Sequence, residues 1–394
     1  MKIENFTGRI TTPQDPAWDE DRQAFNLAVD QRPDAVLHPG DANDVAAAVR
    51  YAAAEGLAIA PQSTGHNAGA RPVGGGVLLM KLGNLDDVEI DASAKRARVG
   101  AGVRWGTVVE AVSPHGLAAL HGSSGTVGVA GYSLMGGIGW YARSRGLQTN
   151  ALTAVELVTA DGTERRVDAD TDPELFWALR GGGGAFGVVT ALEFDLFECD
   201  QVYAGMTLFP WEKSLNLLRA WHELTGDCPD ELTTCFRILQ VPDIETIPEP
   251  LRGGKFTVVD GAFSGPAGEG EKLVEPLKGV GEPIAHTWGS VPASALPLMH
   301  MDPPEPVPGI SDGRLVASLD DATMEKLVET VGPGSDSPMT VVELRQLGGA
   351  LAREPEGAGA LATLDGDFAL FSVGSPMTPE LGEAIGGFLP QVVS

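Results

Sequence analysis

The sequence predicts an α+β protein with two domains. Its 394 residues exceed the ~100–200 residues of one typical domain. Helix-like and strand-like segments alternate along the chain, which is typical of mixed folds. Glycine clusters are frequent up to about residue 198 and fade afterwards. We therefore expect one domain over 1–198 and a second over 199–394.

The first domain is expected to begin with a β-α-β unit. Asp41 can cap the helix of this unit and Gly56 can end it. Further on, Asp161–Gly162 is typical of a hairpin turn. The predicted elements are strands over 34–39, 57–62, 76–82, 87–91 and 97–102, helices over 41–56 and 104–116, a hairpin over 151–167, and a short helix, glycine run and strand over 172–197.

In the second domain, helix patterns alternate with strand patterns and with two proline-rich segments, 241–254 and 302–313, which we expect to be irregular. This order predicts a sheet with helices on one face. The expected elements are helices over 211–224 and 321–331 and strands over 231–241, 255–264, 339–346 and 367–373.

Composition narrows the range of partners. A net charge of -27 argues against nucleic acid and anionic membrane surfaces as partners. No apolar run approaches the ~18 residues of a membrane span. The start, "MKIENFTGRI", has no apolar signal-peptide core, so a cytoplasmic protein is expected. The spacing of Cys228, Cys235 and His222 fits no zinc pattern, and no metal site is predicted.

Three glycine-rich loops, over 61–76, 122–139 and 181–187, lie in the first half. If they converge, their backbone N–H groups could wrap a large phosphate-bearing cofactor; flexible surface loops are the alternative. Because its glycines recur irregularly, the whole segment 121–146 is predicted to be a long loop without helix or strand.

Two other motifs are incomplete. "GGGGAFG" (181–187) follows a predicted helix and precedes a strand, which is the reverse of a Rossmann fingerprint. "GSSGT" (122–126) lacks the second glycine of a serine-hydrolase nucleophile elbow. A serine hydrolase is therefore a weak alternative.

The turn "PQSTGHNAGA" (61–70) carries a single titratable side chain, His66. From the residues alone, this histidine could be an acid, a metal ligand, a nucleophile or a residue without a chemical role.

Four segments together carry a family resemblance. "PQSTGHNAG", "HGSSGTVGVAGYSLMGGIGW", "LTAVELVTADG" and "ELFWALRGGGGAFGVVTALEF" resemble the PCMH-type FAD-binding domain of the vanillyl-alcohol oxidase/p-cresol methylhydroxylase superfamily. Within it they are similar to the berberine bridge enzyme-like FAD-linked oxidases, over about residues 32–198. "ELRQLGGAL" (343–351) and "DGDFALFSVG" (365–374) resemble the substrate domain. The resemblance implies a two-lobed FAD-binding domain, then an α+β substrate domain whose antiparallel sheet is covered by helices.

The resemblance also implies an activity and a cofactor. FAD would be bonded covalently to His66 through its 8α-methyl carbon, with noncovalent FAD beside this histidine as the alternative. Hydride would pass from an alcohol, sugar or amine to the flavin, which O2 would reoxidise. The other implied flavin-loop residues are Gln62, Ser63, Thr64, Gly65, Asn67, Gly69, Ser124, Thr126, Val127, Gly128, Gly131, Gly137, Gly139 and Val188.

Two positions refine this expectation. Some relatives add a second flavin bond through a cysteine, and Ser124 occupies that position here. No cysteine precedes residue 199, so a single covalent bond is expected. Val127 matches a position that influences oxygen access in relatives.

Several residues are candidates for the catalytic base. Tyr132 and Tyr141 flank the second glycine loop, and Glu343 lies on the predicted strand 339–346. Glu343 shares a face of that strand with Arg345, while Gln346 takes the other face, so a structural salt bridge is an alternative use of the pair. The family's usual Tyr-x-Asn-Phe/Tyr segment is not found before the terminal "GGFLPQVVS". A flavin-binding protein with reduced or no turnover is therefore an alternative, and neither the substrate nor the oligomeric state is predicted.

Overall fold

A computed structural model describes residues 1–71, 73–245, 247 and 249–393. Parts of the predicted loop 61–76 and of the segment 241–254 therefore lie outside the described residues.

The first half of the chain contains two main sheets and a small strand pair. Its strands are β1 (Arg9–Thr11), β2 (Ala35–His38), β3 (Ala58–Gln62), β4 (Val77–Lys81), β5 (Val88–Asp91), β6 (Arg96–Gly100), β7 (Leu117–Ala118), β8 (Leu152–Val158), β9 (Glu164–Val167), β10 (Val188–Asp195) and β11 (Phe197–Glu198). Its helices are α1 (Trp18–Asp21), α2 (Ala42–Glu55), α3 (Trp105–Val112), α4 (Val129–Leu134), α5 (Ala142–Arg145) and α6 (Pro173–Gly182).

These sheets form the two lobes that the resemblance implied. One has the order β1-β2-β4-β3, with β2, β4 and β3 parallel, and the other is an antiparallel sheet of order β5-β6-β10-β8-β9. Buried side chains of α2 join both sheets in one core, which includes Val45, Leu78 and Leu157. The β11–β7 pair is separate from both.

Helix α2 shows how local sequence sets an element. The Asp41 carboxylate accepts a hydrogen bond from the backbone N–H of Asp44, and Gly56 ends the helix at φ +68°. The predicted Asp161–Gly162 turn also forms, between β8 and β9, with Gly162 at φ +75°.

The prediction that 121–146 is a loop without helix or strand is wrong, because α4 and α5 lie within it. In α4, Val129, Ala130, Ser133 and Leu134 are buried at a helical spacing. Gly131 hid this pattern in the sequence, although a glycine on the open side of a helix removes no packing contact.

The second half is built around one antiparallel sheet. Its strands are β12 (Gln201–Pro210), β13 (Leu232–Gln240), β14 (Lys255–Phe263), β15 (Ala285–His286), β16 (Gly289–Pro292), β17 (Ile310–Val316), β18 (Val341–Gln346) and β19 (Phe368–Gly374). Its helices are α7 (Ser214–Gly226), α8 (Ala267–Val274), α9 (Leu296–Met299), α10 (Asp321–Val331) and α11 (Pro379–Val393).

Its strand order is β15-β12-β14-β13-β18-β19-β17, and β16 also pairs with β12. The predicted domain boundary near residue 198 falls between β11 and β12 and stays a prediction. The segment 302–313 is irregular as predicted only up to residue 309, because β17 begins at Ile310 and pairs with β19.

The two faces of this sheet have different neighbours. Phe236 and Leu344 face a core that includes side chains of α7, α10 and α11, which confirms a helix-covered sheet. On the opposite face, Cys235 packs with Trp140 and Tyr141 from the first half of the chain. This second face of the sheet lies against the 121–146 segment, which contributes residues to the candidate site.

Candidate active site

The turn after β3 presents His66 from a tight backbone. Gly65, the preceding residue, has φ +83°, and a Cβ there would lie 2.8 Å from the Cβ of Ala24. Glycine is therefore required by both conformation and space. Phe25 stacks on the imidazole with 3.7 Å between ring centroids and 13° between the planes.

Two hydroxyl groups contact the two ring nitrogens of His66. Its Nδ1 lies 2.7 Å from Thr64 Oγ1, and its Nε2 lies 3.2 Å from Thr126 Oγ1. Thr126 Oγ1 is in turn 2.8 Å from Ser124 Oγ. The first and second glycine-rich loops therefore meet at this imidazole.

The environment of His66 favours its neutral form. Burial lowers its pKa from 6.5 to about 4, and the nearby positive charge of Arg104 acts in the same direction, against the weaker opposing effect of Asp302. At pH 7 the ring therefore carries one N–H group and one nitrogen with an unprotonated lone pair, as a nucleophilic imidazole requires.

His66 opens onto a cavity of about 270 Å³. Ser124, Thr126, Val127 and Tyr132, all predicted site residues, line it as well. The remaining lining residues are Phe25, Gly122, Ser123, Ile138, Asp302 and Pro303. Asp302 was not predicted; its Oδ2 accepts a hydrogen bond of 3.1 Å from Ser123 Oγ.

Several predicted glycines let the loops around the cavity approach one another. A Cβ on Gly128 would lie 2.5 Å from Ser63 Oγ, and one on Gly139 would overlap the carbonyl oxygen of His121. Gly137 has φ +83° and packs against Tyr132. In contrast, a Cβ on Gly131 would meet nothing within 4 Å.

Buried polar atoms without partners lie on α4 and in the segment that follows α5. Among the described residues, no hydrogen bond reaches Tyr132 Oη, Ser133 Oγ, Thr149 Oγ1 or the side-chain amide of Gln148. Buried polar groups are normally satisfied, and Tyr132, which lines the cavity, therefore has a hydroxyl available to a polar ligand. This hydroxyl and the close glycine contacts fit a cofactor that presents hydrogen-bonding groups.

The other predicted flavin-loop residues lie farther from this cavity or in its supporting structure. Gln62 is the last residue of β3. Its side-chain Nε2 donates a hydrogen bond of 2.9 Å to Gln31 Oε1, and its Oε1 accepts one of 2.6 Å from Lys81 Nζ. Asn67 and Gly69 are exposed. Val188, at the start of β10, is buried in the antiparallel sheet. Their roles in binding FAD stay predictions.

The two tyrosine candidates lie in different surroundings. Tyr132 lines the cavity, and burial raises the pKa of its hydroxyl, so this hydroxyl stays protonated at neutral pH. Tyr141 is not among the cavity-lining residues; its Oη lies 3.8 Å from Cys199 Sγ, and burial likewise raises its pKa. The structure therefore favours Tyr132 over Tyr141 as a group that contacts a ligand.

Glu343 belongs to a buried charge cluster on the sheet face that is directed at the first half of the chain. His300 lies between two carboxylates, with Nε2 at 2.8 Å from Glu343 Oε2 and Nδ1 at 2.9 Å from Asp260 Oδ2. Arg345 donates to Glu343 Oε1 at 2.9 Å, and Arg237 pairs with Asp260. The predicted Glu343–Arg345 salt bridge is therefore present.

Mutual contacts set the charges of this cluster. Burial and Arg237 both disfavour a charged His300, but Asp260 and Glu343 outweigh them and raise its pKa to about 9. Although burial opposes ionisation, Arg345 and His300 hold the pKa of Glu343 well below its usual value. Glu343 is therefore an ionised and fully partnered carboxylate, which makes it a poor proton acceptor.

Gln346 faces the helices, as its position on the strand predicted. Its Oε1 accepts a hydrogen bond of 3.0 Å from Thr234 Oγ1, which in turn accepts one of 2.8 Å from Trp221 Nε1 on α7. Gln346 therefore supports the core and does not contact the cavity.

Sequence reasoning missed His300 and Asp260. Asp260 left a signal, because it is a charged residue inside the apolar strand "KFTVVDGAF", and buried charges require partners. His300 lies just after α9 and before the proline-rich segment, where its surroundings give no pattern.

Two negative findings hold for the part of the chain that the structure describes. In it, no three or more His, Cys, Asp and Glu side chains form a group that could hold a metal ion. Within the same residues, no helix is both long and apolar enough to cross a membrane.

Comparisons with known proteins identify the first half. Residues 33–168 match the family model of an FAD binding domain. The chain is 37% identical over 215 residues to (R)-6-hydroxynicotine oxidase of Paenarthrobacter nicotinovorans, which is 54% of this chain and 46% of that protein. It is 37% identical over 265 residues to glucooligosaccharide oxidase of Sarocladium strictum, which is 61% of this chain and 52% of that protein. The chain thus spans about half the length of these curated relatives.

A solved structure shows the same fold over nearly the whole chain. Wild-type BBE-like 1 of Physcomitrella patens superposes with a TM-score of 0.83 at 21% identity, covering 98% of this chain and 86% of that one. The family match at residues 33–168 therefore identifies an FAD-binding domain in the first half of the chain. The chain is similar to FAD-linked oxidases over about half of their length, and its FAD-binding domain agrees with the resemblance of the four sequence motifs.

Proposed function

We propose that this protein is an FAD-dependent oxidase that takes a hydride from a small alcohol, sugar or amine and passes the electrons to O2. The observation that carries the proposal is a neutral imidazole, His66, at the wall of a cavity between the glycine loops of an FAD-binding domain. Relatives named as hydroxynicotine and glucooligosaccharide oxidases support this reaction class.

The proposal includes one covalent bond between His66 and the flavin. A similar structure, glucooligosaccharide oxidase from Acremonium strictum, is described as carrying 6-S-cysteinyl, 8α-N1-histidyl FAD; it has a TM-score of 0.80 at 24% identity and covers 98% of this chain and 85% of that one. In this chain, Ser124 lies beside the cavity where a second link would form. A serine hydroxyl is a weak nucleophile near pH 7, so we expect the histidyl bond alone.

When bound, FAD supplies the hydride acceptor. The chain's own residues bind and orient the reactants. The glycine loops would bring backbone groups close to the cofactor, and Phe25 stacks on His66 and restrains the plane of its ring. The protonated hydroxyl of Tyr132 can donate a hydrogen bond to a substrate oxygen or nitrogen at the cavity wall. Contacts of His300 with Asp260 and Glu343 join β14 to β18 on the sheet face directed at the first half of the chain.

Acid precipitation of the purified protein tests the covalent bond. We expect wild-type flavin to stay in the acid pellet and His66→Ala flavin to pass into the supernatant, with the fold retained. His115→Ala, which changes an exposed histidine, is the matched control and should behave as wild type. Wild-type flavin that washes out in acid would contradict the covalent bond.

Anaerobic reduction tests the reaction. A panel of alcohols, sugars and amines is mixed with the oxidised protein, and loss of the flavin's visible absorbance is followed. We expect at least one substrate class to bleach the flavin and readmitted O2 to restore it. An absorbance that no class bleaches would favour the alternative of a flavin-binding protein without turnover.

A further inference from the structure

We propose that Thr126, held in place by Ser124, is the residue that positions His66 for covalent attachment of the flavin. The inference rests on the proposed histidyl bond and assigns the group that prepares the histidine for it. It follows from a chain of contacts that runs from Ser124 Oγ to Thr126 Oγ1 to His66 Nε2.

The position of Thr126 distinguishes it from the other hydroxyl on the ring. Thr64 lies two residues before His66 in the same turn, so it restrains the ring within that turn. Thr126 lies 60 residues away, on the facing loop, and both Thr126 and Ser124 line the cavity. Contact with Thr126 therefore fixes the imidazole relative to the loop that borders the cofactor space.

The loop that carries Thr126 is itself anchored. The backbone N–H of Trp105 donates to Val127 O at 3.0 Å, and that of Gly106 donates to Gly125 O at 2.8 Å. Both bonds tie the segment to the start of α3. The Thr126 hydroxyl is therefore presented by a backbone whose position does not depend on His66.

The hydroxyl pair suits the reaction that it would serve. Overall, the imidazole N–H and one C–H bond of the flavin methyl group are broken and a new N–C bond forms. The two electrons and two protons released reduce O2 to hydrogen peroxide. A hydroxyl can donate to one state of a ring nitrogen and accept from the other. With Nδ1 as the atom that bonds the carbon, Nε2 keeps Thr126 as its hydroxyl partner throughout the reaction.

Phe25 and Thr126 have complementary roles in this arrangement. The stacked phenyl ring prevents the imidazole from tilting, since the two planes are 13° apart. Stacking still allows the ring to slide across the phenyl face when χ1 changes, and the hydroxyl contact restrains that movement. Correct orientation of two reacting groups is a large part of a rate, so the loss of one such restraint is measurable.

The experiment measures the rate of attachment and does not depend on turnover. The full chain is produced in a riboflavin-depleted host, purified without flavin, and mixed with FAD in air. Noncovalent binding is followed by the change in flavin fluorescence, and acid-stable flavin is followed over time. The variants are Thr126→Val, Thr126→Ser and Ser124→Ala, with Thr323→Val on the exposed side of α10 as the matched control.

We expect all variants to bind FAD. Thr126→Val should form acid-stable flavin about tenfold more slowly, which corresponds to about 1.4 kcal/mol. Thr126→Ser keeps the hydroxyl and should restore most of the rate, whereas a purely structural role of the threonine methyl group would predict the reverse order. Ser124→Ala should slow attachment less than Thr126→Val and still reach completion.

Two results would overturn the inference. One is attachment in Thr126→Val at the wild-type rate, and the other is attachment in Thr126→Ser as slow as in Thr126→Val. If Thr126→Val does not fold, an unchanged rate in Ser124→Ala would have the same meaning. Absence of acid-stable flavin in the wild type would instead refute the proposed histidyl bond, so the two failures are distinguishable.

Discussion

The buried charge of His300 should make the free energy of unfolding decrease as the pH becomes alkaline. Its side chain is 5% exposed and lies between the carboxylates of Asp260 and Glu343. The folded-state pKa of about 9 lies above the ordinary value of 6.5 that applies to the unfolded chain. Its stabilising contribution is therefore fully present below pH 6.5 and is lost as the pH rises through 9.

The size of the effect follows from these two values. The difference between 6.5 and 9 corresponds to about 3 kcal/mol, most of which is expressed at pH 7 and almost none at pH 10. His300→Gln removes this pH-dependent part. It also leaves Asp260 and Glu343 without their common cation, so we expect a further loss, and breaking a buried pair typically costs about 3–5 kcal/mol.

The assay is urea denaturation at pH 7, 8, 9 and 10 for wild type and His300→Gln. Lys81 acts in the opposite direction in this window, because burial lowers its pKa to about 8 and deprotonation then favours the fold. Since Lys81 is unchanged in the variant, the difference between the two curves isolates His300. His115→Gln, an exposed site, is the control and should follow the wild type.

We expect the difference in free energy of unfolding between wild type and His300→Gln to narrow by about 2–3 kcal/mol from pH 7 to pH 10. Parallel curves would refute the reasoning, since they would show that His300 carries no proton in the folded chain at pH 7.

Three further outcomes are expected. Gly139→Ala should lower the melting temperature and weaken FAD binding, because the new Cβ would overlap a backbone carbonyl oxygen. Gly131→Ala faces open space and should leave the melting temperature unchanged or raised. Equal melting temperatures in the two variants would contradict this expectation. Ser124→Cys in the His66→Ala background should restore acid-stable flavin through a cysteinyl bond, which acid precipitation measures; pellets without flavin would show that the thiol does not reach the cofactor. Glu343→Gln removes a buried carboxylate that two cations contact, so the free energy of unfolding in urea at pH 7 should fall by about 3–5 kcal/mol. Acid-stable flavin should still form in this variant. An unchanged urea midpoint would contradict the assigned charge of Glu343.

Local features of the fold were predictable from the sequence. The Asp41 cap, the Gly56 end of α2 and the Gly162 turn depend on residues within a few positions of one another. The four flavin-domain motifs likewise lie in continuous segments. In contrast, α4 escaped prediction because the glycine pattern around Gly131 outweighed its helical spacing. Strand β12 was not predicted because it is buried on both faces and shows no alternation. Helix α11 was not predicted because glycines and Pro390 interrupt it, although Ile385, Leu389 and Val392 are buried at a helical spacing.

The sequence by itself determined that a histidine stands in a glycine-rich turn of an FAD-binding domain, because both facts are local. Only the tertiary structure decided that this histidine is neutral, since its pKa depends on burial beside Phe25 and a loop 60 residues away. The tertiary structure also decided that Glu343 is ionised and paired. Strand register and the 299–303 segment bring this residue together with Asp260 and His300. Burial and long-range pairing set electrostatic energies, and no short stretch of sequence specifies either of them.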